Sequence, residues 1–276
     1  PCVGCCLGCI HAVLAKEPGS CVVNPWVGRE YELENREPAG KSKTVLVAGG
    51  GPAGMAAARA SALAGHRTIL CEKTQTLGGL LALASRAPGR GELGDILGFL
   101  SRSLEDLSVD VRLGTKLNPD LISRIDPDEV VLATGSMPGM PVIKGLFTTP
   151  MTLAVSVDVI QGTEKAGSRV LVLGGGMTGL VTADFLAAQG KAVVVLNRRK
   201  SFAPEMSSND RYYLRESLKA KGVDLYKNVS VGRFTRDGVE FKSGGETLRL
   251  DGFDTVVISE QHDPMTQAGA LLSDAR

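Results

Sequence analysis

TVLVAGGGPAGMAAARASALAGHRTILCE, residues Thr44 to Glu72, is the stretch that decides the fold. A β-type apolar run leads into the motif Gly49-x-Gly51-x-x-Gly54, an alanine-rich helix follows, and a second apolar run stops at Glu72. This order is typical of a dinucleotide site. Gly49 permits the tight turn, Gly51 lets backbone approach a pyrophosphate, and Gly54 lets helix and strand pack closely. The phosphates are then expected at the helix N-terminus, where free N–H groups and the dipole favour negative charge.

The same stretch ends in a candidate ribose contact. Glu72 lies eighteen positions after Gly54, where a carboxylate accepts hydrogen bonds from a ribose diol. A purely structural glycine turn is the alternative, and the joint presence of strand, helix, second strand and terminal acid argues against it. We therefore predict nucleotide contacts at Gly49, Gly51, Pro52, Ala53, Gly54, Glu72 and Lys73.

The pattern repeats in the second half of the chain. A strand at 169–173 precedes a second glycine motif, a helix and a strand at 192–196, and Asn197 stands at the place of Glu72 with three cations after it. Arginines pair bidentately with a ribose 2′-phosphate, which a carboxylate would repel, so this copy is predicted to prefer NADPH over NADH. A solvated charged turn is the alternative. The predicted contacts are Gly174, Gly176, Met177, Thr178, Gly179, Asn197, Arg198 and Arg199.

Two further segments of the first copy are candidate ligand contacts. The turn 77–80, LGGL, contains glycines that let backbone approach a ligand, although an ordinary strand-to-helix turn is the alternative. The segment 129–135, EVVLATG, is predicted to be a buried strand that ends on the edge where open α/β sheets bind ligands. These segments add Gly79, Leu80, Thr134 and Gly135 to the site. Further helices are predicted at 94–107 and 211–221, and strands at 109–113, 223–225, 238–242, 247–250 and 255–259.

Five of the six cysteines lie in the first 21 residues. Four follow the spacing Cys2-x2-Cys5-x3-Cys9-x11-Cys21, and Cys6 is an extra one. Four thiolates in a compact loop suit an iron–sulfur cluster. Zinc is the rival metal, although its usual pattern is two separated CxxC pairs. Buried or disulfide-bonded cysteines are the alternative without a metal.

Length and composition limit the possible classes of protein. The 276 residues, 43% of them hydrophobic, are enough for about two domains with their own cores. A net charge of +1 gives no sign of a nucleic acid or an anionic membrane as partner. We see no apolar stretch typical of a membrane span and no signal peptide, so we expect a cytoplasmic protein. The start at Pro1 rather than Met suggests a processed or excised piece.

We expect four parts along the chain. Residues 1–42 form a cysteine-rich iron–sulfur module with its linker, and residues 43–150 form the first nucleotide-binding unit. Residues 151–259 form the second unit, and 260–276 are a truncated return segment. The predicted fold class is α/β, with two Rossmann-like units after the module.

Together the motifs resemble the C-terminal half of the bacterial dienoyl-CoA reductase and trimethylamine dehydrogenase family, iron–sulfur flavoproteins with an old-yellow-enzyme-like barrel. The resemblance covers nearly all of the chain. It is carried by the four spaced cysteines, by Asn24, Pro25, Gly28, Arg29 and Glu30, and by GGGPAGM, Glu72, LGG, ATG and the second glycine motif. It implies a glutathione-reductase-like arrangement of the two units. It also implies FAD (or ADP alone in the amine dehydrogenase branch) in the first unit, a pyridine nucleotide in the second, and a [4Fe–4S] cluster on Cys2, Cys5, Cys9 and Cys21.

The resemblance also implies a function. NADPH would reduce FAD, and the cluster would relay single electrons to an FMN in a barrel domain or subunit, where an activated C=C bond is reduced as in dienoyl-CoA or enoate reductases. The alternatives are an amine dehydrogenase or demethylase that passes electrons outward, and a non-catalytic nucleotide-binding scaffold. We name no catalytic residue in this chain, because the cofactors carry the redox chemistry. An oligomer is expected.

The sequence departs from the family pattern in three ways. The barrel and the terminal Gly-Asp segment that closes over the flavin are absent from this sequence, and the second Thr-Gly equivalent reads Ser259-Glu260. Cys71 is the one cysteine after the N-terminal module. A mechanism of the thioredoxin or lipoamide reductase type is therefore not expected, since it needs a dithiol beside the flavin.

Overall fold

The N-terminal segment carries two short helices, α1 (Ile10–Ala15) and α2 (Glu30–Glu34). The computed structural model describes residues 2–34, 40–260 and 262–265. Residues 37–39 of the predicted linker and most of the predicted return segment therefore lie outside the described residues. Within the described residues, no helix has the length and apolar character needed to cross a membrane.

A four-stranded parallel sheet organises the first unit. Its strands pair in the order β3-β2-β1-β4, and their bounds are β1 (Thr44–Ala48), β2 (Arg67–Cys71), β3 (Asp110–Arg112) and β4 (Glu129–Leu132). Leu46 and Val47 of β1 are fully buried, as expected for a central parallel strand covered on both faces. The helices of this unit are α3 (Pro52–Leu63), α4 (Gly79–Ala84), α5 (Leu93–Asp106) and α6 (Pro119–Ile125).

The strand β4 differs from its prediction. The apolar segment at 129–135 predicts a buried strand, whereas Glu129 and Leu132 are exposed and the two valines between them are only half-buried. The physical reason is its place at the edge of the sheet, paired with β1 alone. The prediction of a buried strand was therefore wrong, although a strand is present at the expected place.

The second unit is built on a five-stranded parallel sheet of order β6-β13-β7-β8-β9. After the short β5 (Ser136–Pro138), the chain forms β6 (Thr152–Val155), α7 (Ser156–Gln161), β7 (Arg169–Leu173), α8 (Met177–Ala188), β8 (Ala192–Asn197), α9 (Ser208–Ala220) and β9 (Asp224–Lys227). Four residues of β7, from Val170 to Leu173, are at most 2% exposed. The strand β6 and the helix α7 were not predicted from the sequence.

An antiparallel meander follows, and the chain then returns to the first unit. The meander consists of β10 (Val229–Phe234), β11 (Val239–Ser243) and β12 (Glu246–Leu250), of which β10 was not predicted. The strand β13 (Thr255–Ile258) enters the second sheet between β6 and β7. Finally β14 (His262–Pro264) pairs antiparallel with β5. Leu146, assigned to the first unit by sequence, packs with Phe241 in the core of the second unit.

Candidate nucleotide-binding sites

The first site is the cradle between β1 and α3, formed by Gly49, Gly51 and Gly54. Gly49 has a φ of 114°, and its N–H donates to the Cys71 carbonyl oxygen at 2.8 Å. A Cβ at Gly54 would overlap the Gly49 carbonyl oxygen, so only glycine permits this approach of helix to turn. A Cβ at Gly51 would meet no described atom within 4 Å. The space in front of Gly51 is therefore open, at the helix N-terminus where Pro52 and Ala53 begin α3.

Glu72 lies directly beside this cradle. One carboxylate oxygen, Oε2, accepts a hydrogen bond from the Gly50 N–H at 2.6 Å. The other, Oε1, accepts from the Thr74 N–H at 2.8 Å and the Thr74 hydroxyl at 2.9 Å. The residue is only 9% exposed, so these contacts hold the carboxylate in one orientation at the end of β2. Oε2 keeps a further lone pair that can accept a hydrogen bond from a ligand hydroxyl, whereas Thr74 occupies both acceptor positions of Oε1.

The Glu72 carboxyl is kept ionised by these contacts. Burial alone would raise its pKa, because burial disfavours the charged form. Hydrogen bonds from Gly50 and Thr74, together with the charge of Lys73, outweigh burial, and the pKa of Glu72 is lowered below its ordinary value of 4.5. Near neutral pH this side chain therefore acts as a fixed acceptor.

A cavity of about 380 Å³ opens beside Glu72. Among the predicted contacts, it brings together Gly49, Glu72, Lys73 and Thr134. Six lining residues were not among the predicted contacts: Thr115, Lys116, Leu117, Met265, Ala48 and Cys71. The first three follow β3 at the carboxyl edge of the sheet, where open α/β sheets bind ligands, so the strand predicted at 109–113 is the signal that points to them. Met265 is brought in by the return of the chain, since its N–H donates to the Gly135 carbonyl at 2.9 Å and its carbonyl accepts from the Thr134 hydroxyl at 3.1 Å.

The predicted LGGL turn lies against the cradle. The Gly78 N–H donates to the Gly50 carbonyl at 2.8 Å. Gly79 begins α4, and a Cβ there would lie 3.2 Å from the Gly51 Cα. The next residue, Leu80, is 42% exposed. The turn is therefore adjacent to the open space in front of Gly51.

The second site is built in the same way between β7 and α8. Gly174 has a φ of 109°, its N–H donates to the Leu196 carbonyl at 2.9 Å, and a Cβ at Gly179 would overlap its carbonyl oxygen. Gly176 has nearly the same backbone angles as Gly51, with φ of −74° in both. Met177 and Thr178 form the first turn of α8. The two glycine motifs therefore share the same backbone geometry and the same close approach of helix to turn.

Asn197 stands at the position equivalent to Glu72, but its side chain makes different contacts. Its side-chain amide donates to the carbonyls of Arg199 at 3.1 Å and Ser201 at 2.8 Å, and its oxygen accepts from the Arg199 N–H at 3.3 Å. At 3% exposure, the side chain is buried. It therefore braces the loop after β8, with all three of these contacts made inside that loop.

The two predicted arginines are exposed and paired with carboxylates. Arg198 contacts Glu260 at 2.7 Å, and Arg199 lies 3.8 Å from Glu205. The two arginine side chains are 70% and 69% exposed. Neither Glu205 nor Glu260 was assigned a role at the site from the sequence alone. A 2′-phosphate has to compete with both carboxylates for these cations.

The cysteines of the N-terminal segment are free thiols. Burial, then the neighbouring Cys9, Asp210, Cys5 and Cys2, raise the pKa of Cys6. A raised pKa disfavours the thiolate form, so it is the residue type and not this shift that suits an iron–sulfur centre, whose ligands are Cys thiolates. Their placement does not reproduce one, since no group of three or more metal-ligating side chains is assembled in the parts of the chain that are described. The ligand set Cys2, Cys5, Cys9 and Cys21 stays a prediction.

Comparison with known proteins identifies relatives of both units. The family model described as pyridine nucleotide-disulphide oxidoreductase matches residues 43–260. The chain is 36% identical to bilirubin reductase of Mediterraneibacter gnavus, over 90% of this chain and 38% of that protein. It is also 36% identical to NADH oxidase of Thermoanaerobacter brockii, over 86% of this chain and 37% of that protein.

A solved structure also matches the chain over its whole length. A 2-naphthoyl-CoA reductase in complex with 2-naphthoyl-CoA superposes with a TM-score of 0.91 at 30% identity, over 100% of this chain and 41% of that one. The chain therefore spans about two fifths of the length of the relatives it matches.

Proposed function

The chain belongs to the pyridine nucleotide-disulphide oxidoreductase family, and on that premise we propose that it is the electron-transfer part of a larger iron–sulfur flavoenzyme. FAD occupies the first site, a pyridine nucleotide occupies the second, and electrons leave for an acceptor outside this chain. The observation that carries the proposal is the pair of matching glycine cradles at the carboxyl edges of two parallel sheets.

The geometry of the first site supports the assignment of FAD. Open space in front of Gly51 leaves room for a pyrophosphate at the N-terminus of α3, and the Glu72 carboxylate is oriented to accept from a ribose diol. The chemistry that bound FAD supplies is exchange of electron pairs with a pyridine nucleotide and of single electrons with an iron–sulfur centre. The residues of this chain contribute binding and orientation.

The second site is assigned to NADPH on the basis of charge. Arg198 and Arg199 directly follow β8 in the chain, where the first copy carries a carboxylate at Glu72. The equivalent residue, Asn197, is neutral and repels no phosphate. The description of the family itself names a pyridine nucleotide.

The remainder of the enzyme is proposed to lie outside this sequence. The relatives that match are more than twice as long as the matched part, and two of them are named as reductases. We therefore place the FMN, and the reduction of an activated C=C bond, in a barrel domain or subunit. A [4Fe–4S] cluster on the four spaced cysteines is proposed as the link between the two, and FAD rather than ADP alone as the occupant of the first site.

The test is a flavin absorbance measurement on the purified chain reconstituted anaerobically with FAD. Addition of NADPH should bleach the visible flavin absorbance. The variant Gly176→Val places a side chain at the N-terminus of α8 and should abolish the bleaching while FAD stays bound. If FAD binds but NADPH causes no bleaching, this chain is a nucleotide-binding scaffold or part of an amine dehydrogenase that passes electrons outward. If only ADP binds, the first site is not a flavin site.

A further inference from the structure

An acidic residue with no role assigned from the sequence lies at the mouth of the second site. Glu205, in the loop between β8 and α9, accepts a hydrogen bond at Oε1 from the Met177 N–H, the first residue of α8. The same oxygen lies 3.0 Å from the point where a Cβ of Gly176 would stand. The other carboxylate oxygen, Oε2, lies 3.8 Å from Arg199. Glu205 therefore contacts both the glycine motif and Arg199, one of the two cations proposed to bind the ribose 2′-phosphate.

The loop that carries Glu205 is a repeat of the LGGL turn. In the first unit the Gly78 N–H donates to the Gly50 carbonyl, and in the second the Ala203 N–H donates to the Gly175 carbonyl, both at 2.8 Å. The two loops therefore leave their sheets with the same attachment to the glycine motif.

Sequence spacing identifies the counterpart of Glu205. Leu80 lies eight residues after Glu72, and Glu205 lies eight residues after Asn197. The second unit thus has a carboxylate where the first has an apolar side chain. It also has an uncharged amide where the first has a carboxylate. The negative charge therefore lies at the ribose end of the first site and at the phosphate end of the second.

The two cradles consequently differ in what stands in front of their central glycine. Gly51 has no described neighbour within 4 Å of a Cβ, whereas the same position at Gly176 is met by the Glu205 carboxylate. A carboxylate and a pyrophosphate are attracted to the same N–H groups and the same helix dipole. They also repel each other, so a bound pyrophosphate and the Glu205 carboxylate cannot both make close contacts with the N-terminus of α8.

We propose that Glu205 sets the nucleotide affinity of the second site by holding the N-terminus of α8 until a pyrophosphate displaces it. This inference rests on the proposed function of that site as a pyridine nucleotide site. Displacement removes the Glu205 carboxylate from Arg199 as well, which frees this guanidinium for the ligand. Glu205 thereby disfavours ligands with little negative charge, because only a strongly anionic ligand displaces its carboxylate from the N-terminus of α8.

The experiment is a titration of NADPH and NADH into wild type, Glu205→Gln and Glu205→Ala. Removing the negative charge should tighten binding of both nucleotides about two- to fivefold, the range for a charge at a helix N-terminus. Glu216→Gln is the matched control: it removes an exposed carboxylate from α9 in the same unit and should leave both affinities unchanged. Thermal unfolding without nucleotide establishes that each variant is folded.

Each outcome has a separate meaning. Tighter binding by both Glu205 variants, with the control unchanged, supports the proposal. If wild type binds NADPH and the Glu205 variants bind it no more tightly, Glu205 is only a helix cap or a ligand contact, and the inference fails while the proposed function stands. If neither wild type nor the variants bind either nucleotide, both are wrong.

Discussion

Glu72 and Asn197 end equivalent strands in the two units, yet their polar atoms serve different purposes. Glu72 accepts hydrogen bonds from the glycine motif and from Thr74, and it faces a cavity. Asn197 donates to carbonyls of its own loop. One residue is thus available to a ligand, and the other stabilises the backbone that presents Arg198 and Arg199.

Glu72→Ala should weaken FAD binding by about 1.5–3 kcal/mol, the range for a hydrogen bond to a charged group. The physical reason is the loss of a fixed, ionised acceptor for a ribose diol. The measurement is a flavin titration monitored by fluorescence. Glu129→Ala, which removes an exposed carboxylate from β4 of the same unit, is the control. An unchanged flavin dissociation constant in Glu72→Ala would remove this role from the residue.

Glu72 should also make stability depend on pH. Its pKa is lowered in the folded protein, so its stabilising contribution is present above the ordinary carboxyl value of 4.5 and is lost as pH falls through the folded value. The difference in the free energy of unfolding between wild type and Glu72→Gln should therefore shrink below about pH 4.5. Urea unfolding at a series of pH values measures this. A difference that stays constant from neutral to acidic pH contradicts the assignment.

Arg198 and Arg199 should confer a preference for NADPH over NADH. Two charge-assisted contacts at roughly 1.5–3 kcal/mol each favour the 2′-phosphate. The exposed pairs given up, with Glu260 and Glu205, are worth only about 0–1 kcal/mol each, and salt screens the site. We expect a preference on the order of ten- to a hundredfold. Titration of both nucleotides into wild type, Arg198→Ala/Arg199→Ala and the neighbouring Lys200→Ala control measures it. Equal affinities in wild type would show that the cations form only a solvated turn.

At the scale of elements, the unit that repeats is strand, glycine turn and helix. In both copies the third glycine of the motif lies against the carbonyl of the first, which brings the helix close to the sheet. The central glycine makes no such contact in the first copy. The packing of Gly54 and the ligand contact proposed for Gly51 are therefore separable, although the two glycines are only three residues apart.

Gly54→Ala and Gly51→Ala should have opposite effects. Alanine at 54 overlaps the Gly49 carbonyl and should destabilise the fold by about 1–3 kcal/mol or more, although alanine normally favours a helix. Alanine at 51 meets open space at a φ of −74° and should leave stability almost unchanged while it weakens FAD binding. Urea unfolding and flavin titration on the same samples measure both. Equal loss of stability in the two variants would be inconsistent with this separation.

At the scale of the whole molecule, the chain leaves the first unit, completes the second and returns. The pairing of β14 with β5 and the contacts of Met265 bring the end of the second unit back to the edge of the first site. The matched segment 43–260 contains a single cysteine, the buried Cys71. Although the family description names disulphide chemistry, the sequence of this segment excludes a dithiol within it. The other five cysteines lie in the N-terminal segment.

The N-terminal cysteines should hold about four irons per chain after anaerobic preparation, as expected for a [4Fe–4S] cluster. Cys5→Ser should abolish iron binding because it removes a predicted ligand. Cys6→Ser is the matched control and should retain iron, although Cys6 lies close enough to Cys9 for the two thiols to interact. Iron and acid-labile sulfide analysis decides the matter. Zinc without sulfide, or loss of iron in Cys6→Ser, would overturn the proposed ligand set.

The sequence by itself determined the repeated strand–glycine–helix units, because apolar periodicity and glycine spacing are local properties of the chain. The bounds of α5, β7 and β13 are close to those predicted, and the three glycines of each motif have the expected positions. The position of Glu72 beside its cradle also follows, since the end of a parallel strand is fixed by the strand itself.

Only the tertiary structure decided which side chains meet across the chain. The exposed edge at β4, the return of β14 to β5 and the contact of Met265 with Gly135 depend on the order of strands in space. The same holds for Glu205, a loop residue that meets α8 because Ala203 is bonded to Gly175. Such long-range contacts leave no periodic signal, because nothing in the local backbone preferences encodes the residue that a loop approaches.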